Sequence, residues 1–245
     1  MAWWTAGGAT GCVAAYEPIG APDQASSYVN RAAPGTDDAV AVVAPAWSTL
    51  TGWAFAGTQG GTMQRLTGPT ITARPVTIIL RVTVDASGRG AWVKWGGDDT
   101  KGVALGRGNG TFDSLGTDVV ILRESLAWES TGQSASSTED VWALAMTTSA
   151  GTKLYRNGSL VSTKGNGNNP TTPIHIGGYN VGGSNRFSDS TIGAVAIYDA
   201  ELDDAEVAAV SAAMAALPTG GSWGGGAVAV ILAQMRHWHA VAGGG

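Results

Sequence analysis

Leu154-Tyr155-Arg156-Asn157-Gly158-Ser159-Leu160-Val161 is the stretch on which the fold turns. Two short runs flank Asn-Gly, the dipeptide that best tolerates positive φ at both central positions of a two-residue hairpin turn. The pattern predicts strands over 153–156 and 159–163, with Tyr155 opposite Leu160 and Leu154 opposite Val161. Outward from this hairpin the same period of two recurs. Over 76–85, Val76, Ile78, Leu80, Val82 and Val84 share one face, and Thr77, Ile79, Arg81, Thr83 and Asp85 share the other. That alternation predicts a half-buried strand.

Further strands are predicted over 91–95, 102–106, 118–122, 140–147, 173–176 and 191–198. Clusters of Gly, Asn, Ser and Asp separate them, the punctuation of an antiparallel sandwich and not of alternating strands and helices. One helix has a written start. Asp203 as N-cap and Glu206 three residues on form a capping box, and Leu202 with Val207 forms a hydrophobic staple. Val207, Val210, Met214 and Leu217 then fall on one helical face, and Pro218 with Gly220 ends the run. A weaker helical turn is predicted within 22–31. The expected class is all-β, a two-sheet antiparallel sandwich with a short C-terminal helix.

Composition agrees. Of 245 residues, 44% are apolar, 13% are charged and 37 are Gly, which suits a sizeable core joined by tight turns. The formal charge is −5, and no basic run could neutralise a row of phosphates, so no nucleic-acid partner is expected. Cys12 is the only cysteine, which excludes an intrachain disulfide, and it reads as a small apolar packing residue. The longest apolar run, 227–233, is far short of the ~20 residues a membrane span needs, so no membrane insertion is expected. Residues 1–8 show neither a basic n-region nor a continuous apolar h-region, so export by a cleaved signal is not expected.

Four motifs in order carry a family resemblance. They are Val141-Trp142-Ala143-Leu144, the Asn157-Gly158 hairpin, Ile174-His175-Ile176-Gly177-Gly178, and Ile192-Gly193-Ala194-Val195-Ala196-Ile197-Tyr198-Asp199 followed by Leu202 and Glu206. Together they resemble the second half of laminin-G-like, concanavalin A-like jelly-roll domains, and with the strand over 77–85 the likeness extends from Pro75 to Leu217. It implies a jelly-roll core over 71–218. Residues 1–70 would contribute to the sandwich or to assembly, and 219–245 form a Gly-rich linker and an apolar tail. Ala15-Tyr16-Glu17-Pro18, Ser27-Tyr28-Val29-Asn30, Pro34-Gly35-Thr36 and Gly52-Trp53 look like the leader of such proteins from phages and environmental viral sequences.

The same fold hosts glycoside hydrolases, whose active strand carries Glu-x-Asp-x-Glu so that two carboxylates flank the scissile bond. That spacing is absent, as is a Gly-x-Ser-x-Gly nucleophile elbow, and the chain is expected not to be an enzyme. His175 alternates with Ile174 and Ile176 and reads as structural. His237 and His239 could point the same way on a strand but have no evident third metal ligand. Calcium is the one cofactor considered, with hard oxygens at Asp98, Asp99, Asn109 and Asp113. Trp95, beside Asp98 and Asp99, is the candidate exposed indole for sugar stacking. Trp3, Trp4, Val228, Val230, Ile231, Leu232, Met235 and Trp238 are candidate assembly residues. The leading expectation is a virion-associated structural or adhesion protein, a capsid decoration or fibre component, that binds neighbouring virion or self subunits and can reach cell-surface glycans. The alternative is a carbohydrate-binding module or glycan-active enzyme of a cellular polysaccharide system.

Overall fold

The computed structural model describes residues 1–56, 64–84, 90–96, 103–109, 117–124, 127–134, 138–147, 151–164, 173–181 and 184–218. A 3-10 segment over Trp3–Gly8 precedes strand β1 (Cys12–Tyr16) and the single-turn helix α1 (Gln24–Ser27). Next come β2 (Val40–Val43), β3 (Ala46–Ser48), β4 (Gly52–Phe55), β5 (Arg65–Thr70), β6 (Val76–Val84), β7 (Gly90–Trp95) and β8 (Val103–Asn109). These are followed by β9 (Thr117–Glu124), β10 (Ala127–Ser134), β11 (Asp140–Met146), β12 (Thr152–Arg156) and β13 (Ser159–Lys164). The series closes with β14 (Pro173–Ile176), β15 (Gly178–Val181), β16 (Ser184–Phe187), β17 (Ser190–Tyr198) and helix α2 (Asp204–Ala215).

Two antiparallel sheets stack face to face. The eight-stranded sheet runs β13-β12-β11-β6-β17-β4-β3, with β1 also paired to β17. The seven-stranded sheet runs β10-β9-β8-β7-β14-β5-β2, and β15 with β16 forms a separate hairpin. Between the sheets lies one apolar core that includes Trp53, Leu80, Trp92, Trp142, Leu144, Ile176 and Ile197, each at most 1% exposed. The Trp92 and Trp142 rings meet across it at 6.0 Å. Such a dry interior supplies most of the drive to fold.

The hairpin forms as the Asn-Gly signal demands, with φ of 50° at Asn157 and 80° at Gly158. The Asn157 side chain adds a reason of its own. It accepts from the Val141 N–H at 2.8 Å and donates to Asp140 at 2.9 Å, tying the turn to β11. Tyr155 pairs with Leu160, but Leu154 pairs with Ser162 and not with Val161. A bulge inserts Val161 as the extra residue, which turns it toward the core.

The strand read as half-buried, β6, is buried on both faces at all but one position. Its second face lies under a third layer, in which Val207, Val210 and Met214 of α2 pack on Ile79, Val141, Ala143, Ala145, Ala194 and Ala196. The capping box at Asp203 and Glu206 has both of its hydrogen bonds, at 2.8 and 2.9 Å. Arg81, 1% exposed, anchors the far end of the same helix. Its guanidinium donates to the Met214 and Leu217 carbonyls at 3.2 and 2.8 Å and pairs with Glu139 at 2.7 Å. It thereby satisfies carbonyls that a helix end leaves without intrahelical partners.

The first 70 residues supply β1 through β5, which lie in both sheets. Asn30, 0% exposed, ties this region together. Its amide accepts from the Ala15 N–H at 2.9 Å and donates to the Val13 and Thr36 carbonyls at 2.8 Å each. Trp3 is packed within its own chain at 9% exposure, with its indole N–H on Glu17 at 3.0 Å. The Trp4 carbonyl accepts from the Tyr198 hydroxyl at 2.8 Å. Cys12 is half-buried, and burial pushes its thiol up to about 12.

Candidate functional site

The outer faces of the two sheets are not equivalent. That of the eight-stranded sheet is closed by α2 and the Trp3–Gly8 segment. On the seven-stranded sheet, inward positions are held by Leu66, Val93, Trp95, Leu105, Ile174 and Ile176. Strand alternation then puts Arg65, Thr67, Lys94, Ala104 and His175 on the outer face.

Register assembles these residues into a line. Val40 pairs with Thr67, Thr67 with His175, His175 with Lys94, and Lys94 with Ala104. In register the line continues from Ala104 to Arg123 and from Arg123 to Trp128. One residue from each of seven strands thus forms a cross-strand row about 29 Å long at the usual strand spacing. At one end Val40 is 63% exposed, with Val42 beside it at 53%. Arg65 sits on the same face of β5 as Thr67, two residues away.

The centre of the row is basic. Arg65 and His175 are half-buried and Lys94 is 1% exposed. Burial pushes His175 down to about 4, and the nearby charges of Arg65 and Lys94 add to the effect. Its imidazole is therefore neutral at pH 7, with one ring nitrogen a donor and the other an acceptor. Burial also lowers Arg65. The Nε of Arg65 and the Nδ1 of His175 are buried without a hydrogen-bond partner. Lys94 is closed off and already engaged, so the groups left to meet a ligand are those at the half-buried positions of Arg65 and His175.

Trp95 is not the exposed indole the sequence suggests. It is 0% exposed, and its N–H donates to the Ile71 carbonyl at 2.8 Å. Trp92 is buried as well, although a regular strand would set the two on opposite faces. A bulge between Ala91 and Val93 makes Trp92 the extra residue and turns both indoles inward. Gly106 opposite this bulge has to be glycine, because a Cβ there would strike the Gly90 carbonyl and the Ala91 backbone.

Asp98, Asp99 and Asp113 lie outside the described residues, and Asn109 closes β8. His237, His239 and the assembly candidates Val228, Val230, Ile231, Leu232, Met235 and Trp238 also lie outside them. Among the described residues no three His, Cys, Asp or Glu side chains converge as a metal site would require. An open cleft of about 570 Å³ at the start of α2 is lined by Lys153, Glu201, Asp203, Asp204 and Ala205. Its polar groups already serve the fold: Asp203 caps α2, Asp204 accepts from the Tyr155 hydroxyl at 2.7 Å, and Lys153 lies 3.7 Å from both Glu201 and Asp204.

No protein-family model and no curated protein sequence matches the chain. Solved structures do match. A sialidase of Trypanosoma rangeli, solved as a covalent intermediate with 2,3-difluorosialic acid, aligns over 86% of this chain at 14% identity and a TM-score of 0.61. This chain spans about a third of that protein, 34% of its length. Domain 4 of an extracellular arabinanase from Geobacillus stearothermophilus, solved with arabinotriose, aligns over 82% of this chain and 98% of its own at 13% identity and a TM-score of 0.55. The receptor-binding domain of botulinum neurotoxin D aligns over 82% of this chain and 52% of its own at 9% identity and a TM-score of 0.56.

The fold is a two-sheet antiparallel jelly-roll sandwich with a short C-terminal helix. At these identities the likeness concerns the fold alone. It nevertheless overturns the expectation that the chain is not an enzyme. The same sandwich is part of sialidase chains, so the missing Glu-x-Asp-x-Glu strand does not exclude a place in a catalytic protein. Nor does the likeness establish activity.

Alternation alone does not single out Arg65, Thr67 or Lys94, and from sequence His175 reads as structural. A lysine between the inward-facing Val93 and Trp95 is the signal that could have found the outer face.

Proposed function

We propose that this chain is a glycan-recognising jelly-roll module, with the half-buried positions of β5 and β14 on its seven-stranded sheet as the saccharide face. The observation that carries the reading is the match to nearly the whole of an arabinanase domain solved with arabinotriose, on a chain whose other sheet is sealed by a helix. Thr67 and His175, half-buried and paired on neighbouring strands, add hydrogen-bonding side chains on a rigid sheet.

The virion-assembly role expected from the sequence has no such support. Trp3 is engaged within its own chain, and the residues of the apolar tail lie outside the described ones. A glycan array probed with the full chain, in calcium and in chelator, with a reducing-sugar assay in parallel, tests the proposal. Saturable binding is the expected result, and release of reducing ends would add catalysis to it. Binding abolished by chelator would bring calcium into the site. An array without signal in either buffer contradicts the reading.

A further inference from the structure

We propose that Asn157, in its Asn157-Gly158 turn, is a modification site: it deamidates by its own chemistry, the folded hairpin protects it, and the product unties the hairpin from β11. The site belongs to the eight-stranded sheet and not to the sheet of β5 and β14. The reaction needs no enzyme. The Gly158 nitrogen attacks the Asn157 Cγ, a five-membered succinimide closes, and the side-chain nitrogen leaves as ammonia with the Gly158 proton. Water then opens the ring at either carbonyl and leaves an aspartate or an isoaspartate. Glycine in the following position leaves the attacking nitrogen unhindered, and Asn157 is exposed, so water reaches it.

Backbone and side chain both hold the closed turn away from that attack. With φ of 50°, Asn157 is left-handed, where ψ is about +30 to +60° and the Gly158 nitrogen points away from Cβ across the Cα–C bond. The side chain is tied toward β11 instead. Its Oδ1 accepts from the Val141 N–H at 2.8 Å, its Nδ2 donates to Asp140 Oδ1 at 2.9 Å, and the Asn157 N–H donates to the Val141 carbonyl at 2.7 Å. Cyclisation therefore has to wait for the turn to open.

The product fits the closed turn poorly. An aspartate replaces the Nδ2 donor with an oxygen that faces Asp140 Oδ1, two carboxylates with no proton between them. Arg156 already serves the other Asp140 oxygen, at 2.7 Å. An isoaspartate lengthens the main chain by one carbon where there is no slack, since even a Cβ at Gly158 would lie 2.9 Å from the Ala208 Cα of α2.

The test is peptide mapping by mass spectrometry of the full chain, folded and in urea, incubated in mildly alkaline buffer while aspartate and isoaspartate at position 157 are counted. Deamidation in urea is expected, with a rate at least about tenfold lower in the folded chain, because the turn seldom opens. Urea unfolding of Asn157→Asp reads the consequence. Its midpoint should fall below that of the parent chain, and adding Asp140→Asn, which sets an amide opposite the new carboxylate, should recover part of the loss. The rate comparison uses the unaltered chain and stands whether or not the variants fold. Equal rates in the two states would remove the protection, and no deamidation in urea would remove the site. A midpoint for Asn157→Asp that matches the parent, or a loss that Asp140→Asn leaves untouched, would overturn the link to β11.

Discussion

The two sheets carry arginines on equivalent outer faces, and their surroundings differ completely. Around Arg81 the face of the eight-stranded sheet is paved with Ala143, Ala145, Ala194 and Ala196, small enough to let α2 lie down on it. There Arg81 is enclosed, with a carboxylate and two helix carbonyls to receive its donors. Around Arg65 the face of the seven-stranded sheet carries Thr67 and His175, and among the described residues no carboxylate or helix carbonyl receives the guanidinium. The first arginine is part of how the protein holds together. The second has polar capacity that the fold does not use, and a side chain in that position is where recognition is to be sought.

Mutations can break or sharpen this contrast. Arg81→Ala should have the largest effect, lowering stability by about 3–4 kcal/mol in urea unfolding, because it empties a buried position, removes the pair with the partly exposed Glu139 and strands two helix carbonyls. Met214→Ala opens the helix–sheet layer and should cost about 3 kcal/mol, with the glycan face unaffected. Asp203→Ala removes the N-cap and should cost about 1 kcal/mol, read as a loss of α2 protection in hydrogen exchange.

A separate effect is expected from pH. His175 is held at about 4, below its ordinary value of 6.5, so the folded state favours the neutral imidazole. Its contribution is fully present above pH 6.5 and is lost as pH falls from there toward 4. The urea midpoint should decline over that window, and His175→Gln should flatten the decline. The smallest effect is Arg65→Ala, at less than about 0.5 kcal/mol. A loss from Arg65→Ala as large as that from Arg81→Ala would erase the contrast on which the site assignment rests.

Local chemistry made much of this fold legible. Asn157-Gly158 specifies its own turn, Asp203 with Glu206 specifies a helix start, and the alternation from Val76 to Val84 identifies a strand without tertiary information. What stayed hidden depends on register. Neither the bulge that inserts Val161 nor the one that inserts Trp92 has a local signature, and each changes which side chains face the core. Trp95 illustrates the consequence: counting alternate positions from Trp92 puts the two indoles on opposite faces, and one extra residue brings both inside. The candidate site was less legible still. Arg65, Lys94 and His175 are far apart in sequence and meet only because β5, β14 and β7 are neighbours in the sheet. The second burial of β6 likewise depends on a helix more than a hundred residues later in the chain.

Mapping backbone amide shifts of the full chain while a bound saccharide is titrated tests the central claim most directly. Perturbations concentrated on β5, β14 and β7, with α2 and β11 unmoved, are what this structure predicts. Shifts clustered on α2, or at the cleft beside Lys153 and Asp204, would show that the face at β5 and β14 is not where the ligand sits.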